Sequence, residues 1–326
     1  MASVTIYANK TAVIKARLSE KGYAAGEIAK TTRYAIDFFE PSSGDEVTVI
    51  GFNENNVPKG AIIQSAILYA TLKVDPPAEN PGINSWEMQG RTAEKQFDQN
   101  NVSWADIITT NLGYGSLSTG TISGNPPEDY TERKAEISTT TNGLIRAIKY
   151  GVVIWPVINF RGPNTNPGIC YIYAANSSKK PRLELTYNPP NVKVTPGIVA
   201  GTYIAKNLPK AISWSMSWTG NDKMIGNPAQ TSAEIRCRIG GTTKTVKVSG
   251  NANTGTIPAG TFTADTAEIQ IAINTTAGGY AESDWITVDT KEEITVFPGF
   301  TDGLFVPKNL AKQITWSSRS PRGERG

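Results

Sequence analysis

Histidine is absent from this 326-residue chain. That single absence removes the Ser-His and Cys-His nucleophile pairs and every histidine-ligated metal site, and with them most hydrolytic mechanisms. Cysteine is nearly absent. Cys170 and Cys237 stand far apart, so no disulfide framework is readable and both thiols are expected as small core residues. No apolar run approaches the roughly 20 residues of a membrane span, so no membrane insertion is expected. Met1 leads into ASVTIYANKTAV without the basic and then apolar regions of a secretion signal, which predicts a soluble product made in the cytoplasm. P-loop, GxGxxG and CxxC patterns are also lacking, so neither a cofactor nor a metal is expected.

A strong charge bias is missing too. The sequence pI is about 8.7 and the net charge +3, yet residues 1–189 hold 18 Lys and Arg against 18 Asp and Glu. The surplus lies beyond them, with Arg319, Arg322 and Arg325 crowded into the last ten residues. There is no basic stripe, and no nucleic-acid partner is expected.

What is present is period-two alternation. In AEIRCRIGG, Ala233, Ile235, Cys237 and Ile239 share one face and Glu234, Arg236 and Arg238 the other, the pattern of a half-buried antiparallel strand. AEIQIAI sets Ala267, Ile269, Ile271 and Ile273 on one side, and AISWSMSW sets Ile212, Trp214, Met216 and Trp218 against serines. Turn signals such as SGNANTG, TTAGG and NPPEDY separate many brief strands. One short helix is predicted in STTTNGLIRAIKYG: a Thr or Asn caps it, Leu144, Ile145 and Ile148 give an apolar face, and Gly151 closes it.

The sequence also repeats itself. KNLPKAISWS from Lys206 returns as KNLAKQITWS from Lys308, 102 residues later, and the match extends to Pro196/Pro298, Gly197/Gly299 and Trp214/Trp316. TYNPPNVKV, with Pro189 and Pro190, marks a linker before the first copy. The domains predicted are therefore 1–189, 190–291 and an incomplete repeat, 292–326. A piece of about 35 residues is too short to build its own sandwich around Phe300, Leu304, Phe305, Ile314 and Trp316. The reading favours a tail cut short, poorly packed and open to proteolysis beyond about Asp289, over pairing with the preceding domain or with another chain.

Three segments of the first domain resemble the DNRLRE-type, disaggregatase-related carbohydrate-binding modules, and they occur in the family's order. They are VTVIGFNENNVPKGAIIQSAILYATLKV (Val47–Val74), NNVSWAD (Asn100–Asp106), and ISTTTNGLIRAIKYGVVIWPVINF followed by AANSSKKPRLELTY. The family's early Asp-Thr has no evident counterpart in ANKTAVIKARLSEKGYAAGE. The region Val192–Thr290 looks like an immunoglobulin or fibronectin type III sandwich without a cysteine pair. The resemblances imply an all-β chain: a jelly-roll-like β-sandwich with one short helix, an Ig-like sandwich, and a truncated second Ig-like repeat.

Sugar rings stack on aromatic faces, so the candidate carbohydrate-binding residues are Trp86, Trp155, Tyr171 and Tyr173. Trp104 lies in a family motif and reads as core. Tyr171 and Tyr173 share a strand face with Ile169, and one face of that strand is expected to be buried. The carboxylate pairs Asp45–Glu46 and Glu128–Asp129 sit in turn-rich surroundings and read as solvated loops rather than as a catalytic dyad or a Ca²⁺ site. No catalytic residue is expected.

The function expected is that of a non-enzymatic structural or binding protein, a phage virion component such as a tail fibre, baseplate or head decoration that contacts the bacterial envelope or its glycans. A bacterial surface adhesin or polysaccharide-binding protein, on the cell surface or secreted, is the first alternative. An accessory module of a glycan-active enzyme is the second. Expected partners are bacterial surface polysaccharide or other virion proteins, and homo-oligomer formation stays open.

Overall fold

The computed structural model describes residues 1–33, 43–75, 83–108, 117–118, 130–137, 139–160, 168–292, 295–298 and 316–319. Antiparallel strands dominate them, with two short α-helices, and the fold class read from the sequence, all-β, is the one observed. Two compact units share the chain: Met1–Pro190 with Gly220–Pro228, and Asn191–Thr219 with Ala229–Gly326. The sequence reading kept residues 220–228 inside the Ig-like domain; the structure builds them into the first unit.

In the first unit, β1 (Ala2–Lys15), β2 (Tyr23–Ala24), β3 (Ile28–Arg33), β4 (Glu46–Phe52), β5 (Ala61–Asp75) and β6 (Ile83–Thr92) precede a one-turn helix, α1 (Trp104–Ile107). They are followed by β7 (Leu117–Ser118), β8 (Thr131–Ile137), α2 (Thr141–Lys149), β9 (Val152–Phe160), β10 (Gly168–Tyr173) and β11 (Arg182–Asn188). β1 serves two sheets. Ala2–Tyr7 pair with β11 and Ala8–Lys15 with β4, with a register break between Ala8 and Lys10. A strand that changes sheet at such an irregularity makes the corner of a sandwich. β3 packs across onto β4 and β9, and α2 lies against β4 and β5. Between the layers Ile6, Leu68, Leu72, Leu185, Ile50 and Ile154 are fully buried, each contributing roughly 1.5–3 kcal/mol by leaving water.

α2 forms where the sequence predicts it. Thr140 Oγ1 accepts a hydrogen bond from the Gly143 N–H at 3.2 Å, and Leu144, Ala147 and Ile148 are buried while Ile145 is half-buried. Gly151, with φ +98°, ends the helix and donates its N–H to the Arg146 and Ala147 carbonyls, in keeping with the left-handed residue that follows many helices.

The second sheet of this unit, formed by the later half of β1 with β4, β9 and β6, is covered on both faces. Its far side carries Val47, Val49, Val153 and Trp155, which cluster with Phe97, Val102 and Ile107 from the 93–108 segment. That segment is fastened by Asp106, whose carboxylate accepts hydrogen bonds from Ser103 N–H (2.7 Å), Ser103 Oγ (2.8 Å) and Lys21 Nζ (2.5 Å). The Lys21 bond, with those from Ser103, lowers the Asp106 pKa to about 2.

The second unit holds β12 (Asn191–Pro196), β13 (Tyr203–Ala205) and β14 (Lys210–Thr219); β15 (Met224–Ile225) belongs to the first unit. β16 (Gln230–Ile239), β17 (Thr242–Ser249), β18 (Thr254–Ile257), β19 (Thr266–Thr275), β20 (Tyr280–Glu282) and β21 (Ile286–Lys291) follow. One sheet runs β12-β14-β18, the other β13-β21-β19-β16-β17, with β13 parallel to β21. This is an immunoglobulin-like sandwich. Trp214, Ile235, Cys237, Ile269, Ile271 and Ile273 form its core, and the Trp214 indole donates to Gln230 Oε1 at 2.8 Å. Two details differ from the simple alternation. Trp218, near the open end of β14, is 38% exposed, and Gln270 and Ala272 on the central strand β19 are buried on the other face as well.

The repeat has a structural counterpart. β22 (Thr295–Pro298) and β23 (Trp316–Arg319) pair with the register Thr295↔Arg319, Val296↔Ser318, Phe297↔Ser317 and Pro298↔Trp316. Shifted by 102 residues, these are the β12–β14 pairs Lys193↔Ser217, Val194↔Met216, Thr195↔Ser215 and Pro196↔Trp214. The second copy thus forms the first ladder of an Ig-like sandwich. Phe300, Leu304, Phe305 and Ile314, like most of the region for which proteolysis is expected, lie outside the described residues.

Cys170 and Cys237 are both buried and free. Burial pushes their thiols up to about 12 and about 11 respectively, so almost no thiolate exists at neutral pH. Native protein is expected to react with a thiol reagent about a hundredfold more slowly than protein in denaturant. Equal rates would place the thiols at the surface.

Candidate binding face

The outward face of the sheet β3-β10-β5-β11-β1, with β8 on the other edge of β5, gathers tyrosines and cations, and strand alternation explains how. On β5 the residues 66, 68, 70, 72 and 74 are buried on the core side, which puts Tyr69, Thr71, Lys73 and Asp75 on the other face; Thr71 is itself only 7% exposed there. On β10 the buried face is Cys170 and Ile172, so Tyr171 and Tyr173 stand half-buried on the outside with Ile169. Leu72 pairs with both Ile172 of β10 and Thr131 of β8, so those strands flank β5 on opposite edges.

Register then lines these residues up in two rows. One runs Tyr7, Arg182, Tyr69, Lys134 across β1, β11, β5 and β8. The other runs Lys30, Tyr171, Lys73 across β3, β10 and β5, and Tyr130, the residue before β8, continues it. Aromatic and cation alternate in both.

The contacts follow the rows. The Arg182 guanidinium lies 4.2 Å from the Tyr69 ring centre and Lys73 Nζ 5.0 Å from that of Tyr171. Lys179 Nζ is 5.6 Å from the Tyr173 ring and Lys180 Nζ 5.7 Å from that of Tyr7. The Tyr130 and Tyr173 rings are 4.6 Å apart, tilted by 42°. Arg182 is held by Glu132 and by Glu184 (3.4 Å), and Lys73 by Asp75 (3.1 Å). A hydrogen bond to Glu184 raises the Tyr69 pKa, and loss of hydration raises that of Tyr130. Exposed cation–ring contacts are each worth about 0.5–1 kcal/mol.

Chemically this is a surface of ring bodies, hydroxyls and charged groups of both signs. Among the described residues no group of three or more His, Cys, Asp or Glu is placed to hold a metal ion, and no helix is long and apolar enough to cross a membrane.

Tyr171 and Tyr173 therefore come together on this face, but Trp155 does not join them. It is 5% exposed, beneath the 93–108 segment, and cannot stack on a ligand; this corrects its assignment as a sugar platform. Trp86 pairs with Ile158 on the β6–β9 ladder; its side chain lies outside the described residues. Trp104 packs against the core, as expected. Asp45 is 1% exposed rather than solvated, and its backbone carbonyl extends the β1–β4 pairing by accepting from the Ala16 N–H. Glu128 and Asp129 lie outside the described residues. Tyr7, Tyr69, Tyr130, Lys73 and Arg182 were missed by the sequence reading. The spacing Tyr69-x-Thr71-x-Lys73-x-Asp75 is the signal that would have found two of them.

No protein-family model and no curated protein matches the chain. Among solved structures, the FN1–FN3 domains of chicken CNTN1 align at a TM-score of 0.25 and 12% identity, over 75% of this chain and 69% of that one. The adhesin domain of Epf from Streptococcus pyogenes aligns at a TM-score of 0.25 and 9% identity, over 90% and 93% of the two chains.

Proposed function

We propose that the chain is a non-enzymatic modular binding protein, a structural component of a phage virion such as a tail fibre, baseplate or head decoration, whose first unit contacts polymers of the bacterial envelope. The observation that carries the binding reading is the alternation of tyrosine and cation across four strands on one sheet face. The virion setting rests on the combination of modules, by analogy. A bacterial surface adhesin is the second reading, favoured by the repeated β12–β14 ladder, since modules of this size are commonly arrayed in tandem.

The test uses the intact chain on an array of cell-wall and capsular polymers. Binding is expected, with no polymer cleaved. Replacing both Tyr171 and Tyr173 by alanine is expected to weaken it by about tenfold or more, with the unfolding midpoints of both units checked in parallel. Retention by that double variant of full affinity would move the site elsewhere, and polymer hydrolysis would end the non-enzymatic reading. Recovery of the chain from purified virions, or from bacterial surfaces without phage, separates the two settings.

A further inference from the structure

We propose that the group recognised on this face is the phosphate of a phosphodiester-linked envelope polymer, met by the ammonium groups of Lys30, Lys134, Lys179 and Lys180. This rests on the binding reading above and narrows it.

The rings of the face already have occupants. Arg182, Lys73, Lys179 and Lys180 stand over Tyr69, Tyr171, Tyr173 and Tyr7 at 4.2–5.7 Å. Rings used in this way hold cations in place rather than offering bare platforms, so the arriving polymer meets nitrogen donors first. Neutral sugars and stacked bases would have to displace those cations to reach the rings.

The cations divide into two sets. Arg182 and Lys73 are neutralised inside the face by Glu132, Glu184 and Asp75. Lys30, Lys134, Lys179 and Lys180 are exposed and have no ion pair among the described residues. Among the described residues, with Glu136 included, six cations face four carboxylates, and the excess lies in the unpaired set. All four unpaired cations are lysines, whereas the one guanidinium fork is filled by carboxylates. A planar carboxylate is best matched by an open arginine fork, while lysine serves phosphate as a point charge. The donors left free therefore fit phosphate better than uronate.

The turn between β10 and β11 fixes two of them. Ser177, 6% exposed, donates its N–H to the Ala174 carbonyl and accepts the Lys179 N–H on its Oγ at 3.0 Å. Lys179 and Lys180 leave this turn in different directions, one over β10 at Tyr173 and the other over β1 at Tyr7. Tyr69 and Lys73 set the two rows four residues apart on β5, about 13 Å at the rise of a strand. An extended polymer with recurring charges can therefore be held at more than one point. A nucleic acid is the less fitting polyanion: single-strand binding draws on open stacking rings and duplex binding on a basic groove, whereas the rings here already have cations over them.

The experiment measures binding of the intact chain to four probes: a poly(glycerol phosphate) teichoic acid, polygalacturonate, a neutral glucan and single-stranded DNA. The teichoic acid is expected to bind best and to weaken about tenfold between 50 and 200 mM salt. The double variant Lys179→Gln/Lys180→Gln is expected to lose about tenfold on that probe, with unchanged unfolding midpoints because both side chains are exposed. Equal or tighter binding of polygalacturonate or glucan overturns the phosphate assignment and leaves the polymer-binding reading standing. Tighter binding of DNA overturns it in favour of a nucleic acid. Unchanged affinity in the lysine variant overturns the assignment of those two contacts. Failure of every probe, together with a blank polymer array, removes the binding reading as well.

Discussion

Gly151→Ala is expected to lower the stability of the first unit by about 3–5 kcal/mol. Two costs coincide there. The residue has φ +98°, a conformation that an alanine adopts only with strain. Its added Cβ would also lie 2.2 Å from the Ile50 carbonyl oxygen and 3.0 Å from Gly51 Cα. Both of those atoms are backbone in β4, the strand on which α2 rests, so relief requires moving the strand or unwinding the helix end. Neither is cheap, because Ile50, Leu144 and Ile148 are fully buried. A loss of this size is a large fraction of the roughly 5–15 kcal/mol that holds a domain together. In denaturant titrations the first unit's transition should fall sharply while the second unit's stays in place. Gly26→Ala is the matched control, since a Cβ there meets nothing within 4 Å. A Gly151 variant that unfolds like the control would mean that α2 and β4 are less tightly fitted than their geometry indicates.

Some of this was legible in the sequence and some was not, and the division has a physical cause. Local periodicity carries the strands of the second unit, because Ile235, Cys237, Ile269 and Ile271 alternate along β16 and β19 and face a single core. It carries α2 for the same reason. The repeat is legible as identity, and its equal register follows from Pro196 and Trp214 recurring as Pro298 and Trp316. Long-range pairing left no such trace. Tyr7 and Arg182 are distant in sequence but neighbours across a ladder, and only the register reveals that they belong to one row with Tyr69. Trp155 failed as a surface residue because its cover comes from the irregular 93–108 segment, whose apolar residues Phe97, Val102 and Ile107 show no strand period. β15 failed because two residues are too few to carry a period at all.

That short strand carries the last prediction: replacing residues 220–228 by a flexible Gly-Ser linker is expected to destabilise the first unit, although the segment lies in sequence between two strands of the second. β8 covers one edge of β5 from Ile67 to Leu72. Below it the edge is completed by Met224 and Ile225, opposite Ile62 and Ala61. The Gly60 N–H donates to the Ile225 carbonyl at 2.7 Å, the Ile63 N–H to that of Lys223 at 3.0 Å, and Lys223 Nζ reaches the Thr139 carbonyl at 2.9 Å. Ile225 is 4% exposed and Ala61 is fully buried, and Gly60, at φ +88°, leaves room for Pro228, which a Cβ would meet at 2.7 Å. Removing the segment strips these ladder bonds and uncovers apolar surface on an open strand edge, which also invites pairing with other chains. Ile225→Ala alone should cost about 2–3 kcal/mol, at the lower end for a buried isoleucine because the site borders solvent. The linker variant should cost more. Hydrogen exchange gives the residue-level readout: the Gly60 and Ile63 amides, protected in the intact chain, should exchange rapidly in the linker variant, while those of β16 and β19 keep their protection. A fragment ending at Pro190 should show the same loss, and a peptide of residues 220–228 added to it should restore part of the protection. If the linker variant instead lowered the second unit's transition and left the first untouched, β15 would be a passenger of the Ig-like sandwich rather than a strand of its neighbour.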